Sequence, residues 1–322
     1  MKSEMSSVGA TELSEIHETV LTGLTPYSFE LTVHKPAGWH WLTPFEVFEE
    51  GTIWSGWRMD GRLIGLKLSS VGGVDRPKIH VKAYSEKTLS PEDRDKVRSH
   101  VGEALGLKED IRGFYRLARD HPLLSQAVKD LYGMRWGQTG TVFSHALLAV
   151  TLQMAPVRRS LEMHRSLYLN YGQNLRFDGR EIAIHPSPER IDKATEEELR
   201  SRCTLGYRAR YIKSIARDVA TGRAPTMKEL ETMTPQGAKE ELMKLTGIGE
   251  YSAGIISPHP SFPLDVWSVK IFAEVFGLEI GERPREEIPR VKRYAREAFG
   301  EWRHYVFLYV LHDLENLGLE QQ

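Results

Sequence analysis

The sequence predicts an α+β fold, in which a small antiparallel sheet domain precedes a large all-helical domain. Between residues 28 and 108, apolar and polar residues alternate in short runs that turn signals separate, as is typical of strands. After residue 109, apolar residues instead recur with the period of about 3.6 that indicates helices. We therefore divide the 322 residues into a tail at 1–27, an α+β domain at 28–108 and a helical domain at 109–322.

The composition is that of an ordinary globular protein, with 40% hydrophobic residues, 27% charged residues and a formal net charge of −1. No window approaches the roughly 18 continuous apolar residues of a membrane span. Residues 1–14 are polar and contain no apolar segment of the secretory type. The single cysteine, Cys203, excludes an internal disulfide framework and an all-cysteine zinc or iron–sulfur site. We expect a monomer in the cytoplasm or nucleus that is not secreted and does not bind membranes.

The charge total neither indicates nor excludes binding to nucleic acid, because binding requires a locally basic face and not a basic total. Arginines and lysines do cluster, at residues 158–165 and again at residues 200–217. Each cluster taken alone is more typical of a solvated helix face than of a DNA surface.

Within the first part of the chain, residues 1–27 indicate a loose tail, or a short helix at 12–21. Thr43 and Pro44 are typical of a helix start and predict a short helix at 43–50. Ser90 opens a further helix that runs to about residue 105. The alternating runs predict antiparallel strands at 29–33, 52–57, 62–68 and 78–82.

The second part of the chain predicts helices throughout, without repeats or low-complexity runs. Their helical periodicity places them at 122–132, 141–154, 155–171, 196–203, 208–221, 227–232, 235–245, 251–257, 265–276, 285–299 and 302–317.

Residues 240–277 organise the helical domain. Two helical patterns flank a Gly247-Ile248-Gly249 hairpin, and a third helical pattern opens at Asp265. Glycine lacks a Cβ atom, so the hairpin backbone can turn tightly and approach a ligand closely. The helix after the hairpin directs its free N–H groups into the same space, which predicts an anion site suited to a DNA phosphate.

The segment Leu245-Thr-Gly-Ile-Gly-Glu-Tyr-Ser-Ala253, with Asp265 sixteen residues after Gly249, resembles the signature of the helix-hairpin-helix DNA glycosylase superfamily. Thr246 stands where that signature usually has proline. The helix that ends in Gln153-Met154, the segment 205–216 and the Trp302-Arg-His-Tyr305 run extend the resemblance over most of the chain. The domain layout is similar to the 3-methyladenine DNA glycosylase II and 8-oxoguanine DNA glycosylase branches.

The resemblance implies an enzyme that binds double-stranded DNA and flips a damaged base out of the helix. Backbone contacts to DNA are expected from the hairpin, from the start of the third helix and from Gln153. The wedge that fills the gap in the base stack would be Met154, whose alternative reading is ordinary helix core. The expected DNA-contacting residues are Gly247, Gly249, Ser252, Val266, Trp267, Gln153 and Met154.

The resemblance makes Asp265 the catalytic carboxylate. Cleavage of an N-glycosidic bond builds oxocarbenium-like positive charge on the sugar, which an ionised carboxylate stabilises. The same carboxylate can orient the attacking water. Asp265 is also typical of a helix N-cap, and both roles are compatible because the cap fixes the position of the carboxylate.

Tyr251 occupies the position at which bifunctional members of the superfamily carry a lysine nucleophile. Lys239, Lys244 and Lys270 are near in sequence but do not match that position. We therefore predict a monofunctional enzyme that leaves an abasic site and acts on an alkylated base. A bifunctional 8-oxoguanine-type glycosylase/lyase with a displaced lysine, and a non-catalytic helix-hairpin-helix DNA-binding protein, stay open as alternatives.

An aromatic base pocket would favour cationic alkylated purines by cation–π attraction. The expected pocket residues are Trp136, Tyr251, Trp302 and Tyr305. A tryptophan of the bacterial 3-methyladenine branch falls on Leu311 here, which leaves the damaged base open. Trp39, Trp41, Trp54 and Trp57 are expected to pack the sheet domain.

No cofactor is expected to be required, and no iron–sulfur cluster. The resemblance implies a site for a monovalent cation, Na⁺ or K⁺, on hairpin carbonyl groups. These carbonyls would be those of Met243, Leu245 and Ile248.

Overall fold

The computed structural model describes residues 9–34, 45–137 and 140–319. Within these residues the chain forms two β-sheets and a large helical region. The strands are β1 Thr11–Glu12, β2 Glu15–Thr22, β3 Val47–Glu49, β4 Thr52–Met59, β5 Arg62–Ser70, β6 Lys78–Ser85, β7 Gln173–Phe177 and β8 Arg180–Ile184. The helices are α1 Phe29–Val33, α2 Pro91–Ala104, α3 Arg112–Ala118, α4 Pro122–Asp130, α5 Val142–Leu152, α6 Val157–Tyr171, α7 Pro188–Lys193, α8 Glu196–Cys203, α9 Arg208–Ala220, α10 Met227–Thr232, α11 Pro235–Met243, α12 Glu250–Ile256, α13 Ser268–Val275, α14 Pro284–Phe299 and α15 Arg303–His312, with a 3₁₀ turn at Gly300–Trp302.

The larger sheet has the strand order β2-β6-β5-β4-β3 and is antiparallel throughout. Its inner face packs on α2, where Val97 and Val101 meet apolar strand residues such as Ile64 and Val81. Ser90 caps α2 through a capping box with Asp93, as the sequence predicts. The predicted strands β4, β5 and β6 are confirmed, and each extends beyond its expected C-terminal end.

The smaller sheet has the order β1-β7-β8, with β1 parallel to β7 and β7 antiparallel to β8. It packs on the larger sheet through Trp54, Tyr84, Leu175 and Phe177. Trp54 therefore packs the sheets as expected. Trp39 and Trp41 lie outside the described residues.

Three of the expected elements near the N-terminus are wrong. Residues 29–33 form α1, because Ser28 Oγ accepts a hydrogen bond from the Leu31 amide and starts a helix. Residues 15–22 form β2, an edge strand paired along its length with β6. The described part of the helix expected at 43–50 contains β3, whereas Thr43 and Pro44 lie outside the described residues.

The region after residue 109 is not wholly helical, because β7 and β8 form a hairpin within it. Asp178 and Gly179 turn this hairpin with φ values of 50° and 72°, the positive values of a type I′ turn. Helices α3 and α7 were not expected, whereas every helix expected between residues 122 and 317 is present with small shifts of its ends.

The helices form two hydrophobic cores. One core joins α3, α4, α13, α14 and α15, and the other joins α5, α6, α8, α9, α11 and α12. The hairpin between α11 and α12 belongs to the second core, whereas α13 belongs to the first. The segment from Ser257 to Leu264 therefore carries the chain from one core to the other. Asp265 lies where this crossing ends.

Candidate functional site

The hairpin between α11 and α12 requires glycine at one position for two physical reasons. Gly247 has a φ of 82°, which L side chains rarely adopt. A Cβ atom at Gly247 would also lie 2.4 Å from the ring of Tyr211. Gly249 differs, because it has a φ of −99° and no atom within 4 Å of the position of a Cβ. Gly249 is exposed, so its backbone faces open space.

Gln153, directly after α5, holds the hairpin from inside the protein. Its Nε2 donates to the Gly247 carbonyl at 2.7 Å and to Ser252 Oγ at 3.2 Å. Arg208, at the start of α9, donates from Nη2 to the Gln153 carbonyl. Ser252 is buried, with 3% of its surface exposed. Both Gln153 and Ser252 therefore support the hairpin, and a direct contact of either with DNA stays a prediction.

Met154 projects from the end of this arrangement. Its side chain is 94% exposed, and its φ is 47°. A left-handed backbone is strained for a residue other than glycine, and an exposed apolar side chain gains no free energy from burial. Packing within the fold therefore does not explain the conformation of Met154. The helix-core reading of Met154 is wrong.

Asp265 is half-buried at the approach to α13. Its Oδ1 accepts hydrogen bonds from the Trp267 amide at 3.1 Å, the Ser268 amide at 2.8 Å and the Ser268 hydroxyl at 2.7 Å. These are the bonds of a helix N-cap, and they fix the direction of the carboxylate. Among the described residues, no hydrogen bond to Oδ2 is found. This second oxygen is the one that can meet a substrate.

The two expected phosphate contacts beside Asp265 differ in availability. The Trp267 amide already donates to Asp265, and the Trp267 ring packs against the first helical core. Val266 is 50% exposed. Val266 is thus the more accessible of the two amides.

Tyr251, on α12, is electrostatically coupled to Asp265. Burial, and secondarily the negative charge of Asp265, raise the pKa of the Tyr251 phenol well above its usual value. Tyr251 is therefore a neutral hydroxyl group at physiological pH and provides no amine for Schiff-base chemistry.

A cavity of about 330 Å³ lies between the two helical cores. It brings together Trp136, Trp302 and Tyr305, three of the four expected base-pocket residues. Gly254 and Ile255 of α12 form part of its wall. Tyr251 and Asp265 are not among the residues that line this cavity, so a base pocket that Tyr251 shares with the other three aromatic residues stays a prediction.

Two polar residues of the cavity were missed by sequence reasoning. Tyr305 donates its hydroxyl hydrogen to Glu109 Oε2 and accepts from the Trp136 amide at 3.4 Å. Burial and the charge of Glu109 raise the pKa of Tyr305 far above its usual value, so it stays a donor. His304 lines the same cavity. His304 lay within the Trp302–Tyr305 motif, whereas no sequence signal pointed to Glu109.

The turn before the hairpin suits a monovalent cation in its chemistry. The expected ligands are backbone carbonyl oxygens, which are hard donors of the kind that Na⁺ and K⁺ take. The Leu245 carbonyl accepts one hydrogen bond, from the Ile248 amide at 3.1 Å, and a carbonyl has two lone pairs. In the described parts of the chain, no group of three or more His, Cys, Asp or Glu side chains is arranged to hold a metal ion.

Cys203 is buried in the second helical core, and burial raises the pKa of its thiol to about 12. The thiol is thus protonated and unreactive at physiological pH.

The basic residues of the cluster at 200–217 are largely engaged in contacts within the protein. Arg200 pairs with Glu196 and Glu197, and Lys213 donates to two backbone carbonyls.

Comparison with known proteins places the fold. None of the known protein-family models matches the chain. A DNA-3-methyladenine glycosylase of Bacillus subtilis (strain 168) is 23% identical over 227 residues, which span 67% of this chain and 72% of that protein.

Two solved structures extend the likeness over nearly the whole chain. A 3-methyladenine DNA glycosylase from Archaeoglobus fulgidus superposes with a TM-score of 0.77 at 22% identity, covering 94% of this chain and all (100%) of that one. An 8-oxoguanine glycosylase/lyase from Clostridium acetobutylicum, in complex with double-stranded DNA, superposes with a TM-score of 0.71 at 18% identity, covering 95% and 99%. The predicted fold class and resemblance are confirmed, since the chain has the fold of the helix-hairpin-helix glycosylases. None of the described helices combines the length and apolarity that crossing a bilayer requires.

Proposed function

We propose that this chain, which shares its fold with helix-hairpin-helix DNA glycosylases, is itself a DNA glycosylase of base excision repair. The observation that carries the proposal is the position of Asp265. Its carboxylate lies where the chain crosses from one helical core to the other, directed by three hydrogen bonds to Oδ1. The enzyme acts as a monomer on double-stranded DNA that contains a damaged base, in the cytoplasm or nucleus.

In the proposed binding mode, the hairpin approaches the DNA backbone through exposed Gly249, and Met154 enters the base stack. The exposure of Met154 and its left-handed backbone support this role, because neither is explained by packing. The hydrogen bonds of Gln153 and Arg208 fix the position of Met154 relative to the hairpin. A wedge and a backbone contact that are joined by hydrogen bonds can act on one nucleotide together.

In the proposed reaction, the N-glycosidic bond breaks and the sugar gains oxocarbenium character. Asp265 Oδ2 faces this charge and orients the water that adds to the sugar, while Oδ1 stays bonded to Ser268. The water proton passes to the surrounding solvent or to the departing base. The products are a free base and an abasic site.

An alkylated purine is the proposed substrate. The cavity presents the indole rings of Trp136 and Trp302 together with the Glu109 carboxylate, a combination that favours a cationic ring. The B. subtilis and A. fulgidus proteins named above are 3-methyladenine glycosylases, which agrees with this choice. The test is a base-release screen on duplexes that contain 3-methyladenine, 7-methylguanine, ethenoadenine, hypoxanthine, uracil or 8-oxoguanine.

We expect release from the methylated purines and no release from 8-oxoguanine. Release from none of the six, with retained binding to duplex DNA, would instead support a non-catalytic helix-hairpin-helix DNA-binding protein. Release of 8-oxoguanine alone would support the oxidised-base alternative.

The proposed enzyme is monofunctional, since a neutral tyrosine, Tyr251, stands at the lysine position. One observation favours the glycosylase/lyase alternative: burial, followed by the charges of Lys292 and Arg303, lowers the pKa of Lys239 on α11. Borohydride reduction during turnover separates the two. We expect no covalent enzyme–DNA adduct, and efficient trapping that disappears in Lys239→Ala but persists in Lys270→Ala would contradict the monofunctional mechanism.

A Na⁺ or K⁺ ion on the carbonyls of Met243, Leu245 and Ile248 is also proposed, as a bridge between the hairpin and a DNA phosphate. No other cofactor takes part in the proposed reaction. Replacing K⁺ by tetramethylammonium, at constant ionic strength, should weaken DNA binding without changing the melting temperature by more than a few degrees.

A further inference from the structure

One exposed arginine of the basic cluster at 200–217 differs from the other cationic residues around it. The others form ion pairs with carboxylates or donate to carbonyl groups: Arg200, Arg202, Arg208, Lys213 and Arg217. Arg210, on α9, is exposed. Within the described residues, neither an ion pair nor a hydrogen bond of its guanidinium group is found. The charge of Arg210 is therefore available to a ligand.

The guanidinium group of Arg210 is nevertheless held in one place. Its central carbon lies over the ring of Tyr211, 5.2 Å from the ring centroid. Stacking of this kind orients the group and leaves the N–H donors at its edges to a ligand. The Tyr211 ring is itself fixed, since it makes an edge-to-face contact with Tyr207 at 5.6 Å and lies against Gly247. Arg210 is thus positioned beside the hairpin by the ring that packs on Gly247.

A pair of hydroxyl groups lies on the same side of α9. Ser214 follows Arg210 by one helical turn, so about 5–6 Å separates their Cβ atoms. The Ser214 hydroxyl donates to Oγ1 of Thr246, an exposed residue of the hairpin turn, at 3.0 Å. Two hydroxyl groups joined by one hydrogen bond keep one hydrogen to donate, and no acceptor for it is found within the described residues. The pair therefore presents an O–H donor near the Arg210 guanidinium group.

Two acidic residues close to the hairpin do not oppose an anion at this place. Glu250, the first residue of α12, is paired with Lys292 at 3.0 Å. Glu241, on α11, is paired with Lys244. Each of these carboxylates has a cation beside it, so neither cancels the positive charge of Arg210.

From this arrangement we propose that Arg210 and Thr246 bind one phosphate of the DNA backbone, adjacent to the phosphate that approaches Gly249. A guanidinium group matches two phosphate oxygens with its fork of N–H donors, and a hydroxyl group can donate to the same phosphate. Tyr211 and Ser214 are positioning residues, since they act through Arg210 and Thr246. The inference rests on the proposed glycosylase function, because it takes bound duplex DNA as the ligand.

The contact depends on a residue in which this chain departs from the superfamily signature. Thr246 stands where that signature usually has proline, which has no hydroxyl group and cannot bond to Ser214. The proposed contact is made by side chains of α9 and of the turn. It therefore adds to the contacts expected from the backbone amides of the hairpin.

The test measures the affinity for DNA as a function of salt concentration. A duplex that carries a tetrahydrofuran analogue of an abasic site is titrated by fluorescence anisotropy over a series of KCl concentrations. Each phosphate that a cationic side chain neutralises contributes about 0.9 to the slope of log affinity against log salt. Arg210→Gln should therefore reduce the magnitude of this slope by about 0.9 and lower the affinity about tenfold.

A matched control separates the contact from a general effect of charge. Arg217→Gln removes the same charge from the same helix, but from an arginine that is paired with Asp192 at 3.1 Å. It should leave the slope unchanged. A reduction of the slope in Arg217→Gln equal to that in Arg210→Gln would overturn the inference.

Variants of Thr246 test the hydroxyl group. Thr246→Val keeps the shape of the side chain and should lower the affinity about fivefold without changing the slope, because the lost donor is neutral. Thr246→Ser should restore most of the affinity. In the double variant Arg210→Gln/Thr246→Val, the loss should be smaller than the product of the two single losses, because both residues act on one phosphate. A loss equal to that product would overturn the shared phosphate.

Inorganic phosphate distinguishes a DNA site from a site for the free ion. In the absence of DNA, we expect millimolar inorganic phosphate to leave the melting temperature of wild-type protein as it is in chloride at equal ionic strength. A rise that disappears in Arg210→Gln, together with an unchanged salt slope for DNA, would overturn the assignment to DNA.

The remaining outcomes distinguish the inference from the function beneath it. Equal salt slopes for wild-type protein and folded Arg210→Gln would overturn the inference and leave the proposed glycosylase intact. Failure of wild-type protein to bind the duplex would overturn the proposed function and the inference with it. If Arg210→Gln does not fold, neutral methylphosphonate linkages that replace each phosphate in turn decide. Wild-type protein should lose affinity at two adjacent linkages, and the absence of any such pair would overturn the inference.

Discussion

Gly247 and Gly249 look equivalent in the sequence but are constrained differently in the structure. At Gly247 a methyl group meets both a φ of 82° and the Tyr211 ring 2.4 Å away. Gly247→Ala should therefore cost about 2 kcal/mol or more in stability, from backbone strain and the displaced ring. Gly249→Ala meets no atom within 4 Å and should leave stability within about 0.5 kcal/mol of wild type.

The effect of Gly249→Ala on DNA affinity should differ from its effect on stability. A methyl group at Gly249 stands on the exposed surface where a phosphate would approach, so Gly249→Ala should weaken binding although it folds normally. Thermal melting and fluorescence-anisotropy titration of the two variants provide the check. Equal melting temperatures, or unchanged DNA affinity in Gly249→Ala, would contradict this assignment.

The exposed, left-handed conformation of Met154 leads to a prediction about base flipping. Met154→Ala should lower base flipping, measured as a smaller fluorescence rise from 2-aminopurine placed beside a lesion, while the melting temperature stays the same because the side chain is 94% exposed. Leu161→Ala, another exposed apolar residue on α6, is the matched control. An undiminished fluorescence rise in Met154→Ala would remove Met154 from the site.

At the residue scale, the sequence was informative where a motif fixes local geometry. Asp265 directly precedes a helical run and was therefore predicted to cap a helix, and the structure has the capping bonds. Glu109 could not be found this way, because it reaches the cavity only through the packing of α15 against residues far away in the chain. The partner that identifies it, Tyr305, is 196 residues distant.

At the scale of elements, the β7–β8 hairpin joins the larger sheet through one carboxylate. Asp178 accepts hydrogen bonds from Trp54 Nε1 at 2.7 Å and from the Tyr84 hydroxyl at 2.9 Å, and pairs with Lys67 at 2.8 Å. Burial alone would raise the pKa of Asp178, but these partners outweigh it and hold the pKa below its usual value. The carboxylate is therefore ionised and connects three strands.

Asp178→Ala should destabilise the protein by about 2–3 kcal/mol, because it leaves two donors and a lysine without their acceptor. Asp178→Asn should lose less, since asparagine keeps an acceptor and tolerates the φ of 50° in this turn. Denaturant midpoints measure both changes. A shift of less than about 0.5 kcal/mol in Asp178→Ala would contradict the assigned role of this carboxylate.

The same hairpin shows why some elements were mispredicted. The Asp178-Gly179 pair is a strong type I′ turn signal between two short apolar runs, but the helical periodicity on both sides of it outweighs this local signal. The strand β2 was missed for a different reason. Its outward Ile16 and Val20 are exposed, so the alternation of an ordinary half-buried strand is blurred.

At the scale of the whole molecule, helix periodicity predicted the helices that build the two cores, whereas the division of these helices between the cores is a finding of the structure. The long-range pairing of β1 with β7 could not be predicted, because a two-residue strand carries almost no pattern of its own. Which residues meet in the cavity is likewise a property of the complete packing. Sequence motifs therefore located the hairpin and Asp265, and the tertiary structure located the cavity.

Stability should also depend on pH through a carboxyl group at the end of α15. Asp313 is buried, and burial, with a further contribution from Asp130, raises its pKa to about 6 from 3.8. A raised pKa means that the folded state holds the proton more tightly than the unfolded state. The contribution of protonated Asp313 to the free energy of unfolding is therefore fully present below about pH 4, and it is lost as the pH rises through about 6.

Asp313→Asn imitates the protonated carboxyl group and should stabilise the protein by up to about 2 kcal/mol at pH 7.5. The advantage should shrink below pH 6 and vanish near pH 4. Glu315→Gln, an exposed carboxyl-to-amide change two residues further along, is the matched control. Thermal melting between pH 4 and pH 8 is the measurement, and a destabilising effect of Asp313→Asn at pH 7.5 would contradict the assignment.

The central claim is that Asp265 drives hydrolysis of an N-glycosidic bond in bound, lesion-containing DNA. It is tested most directly by Asp265→Asn, assayed in parallel for single-turnover base release and for affinity to the same duplex. Asparagine keeps an oxygen that accepts from the Ser268 and Trp267 amides, so the fold and the start of α13 should survive. We predict that base release falls by a factor of about a hundred or more, with affinity equal to or tighter than that of wild type. Base release at the wild-type rate by a folded Asp265→Asn protein would contradict the account.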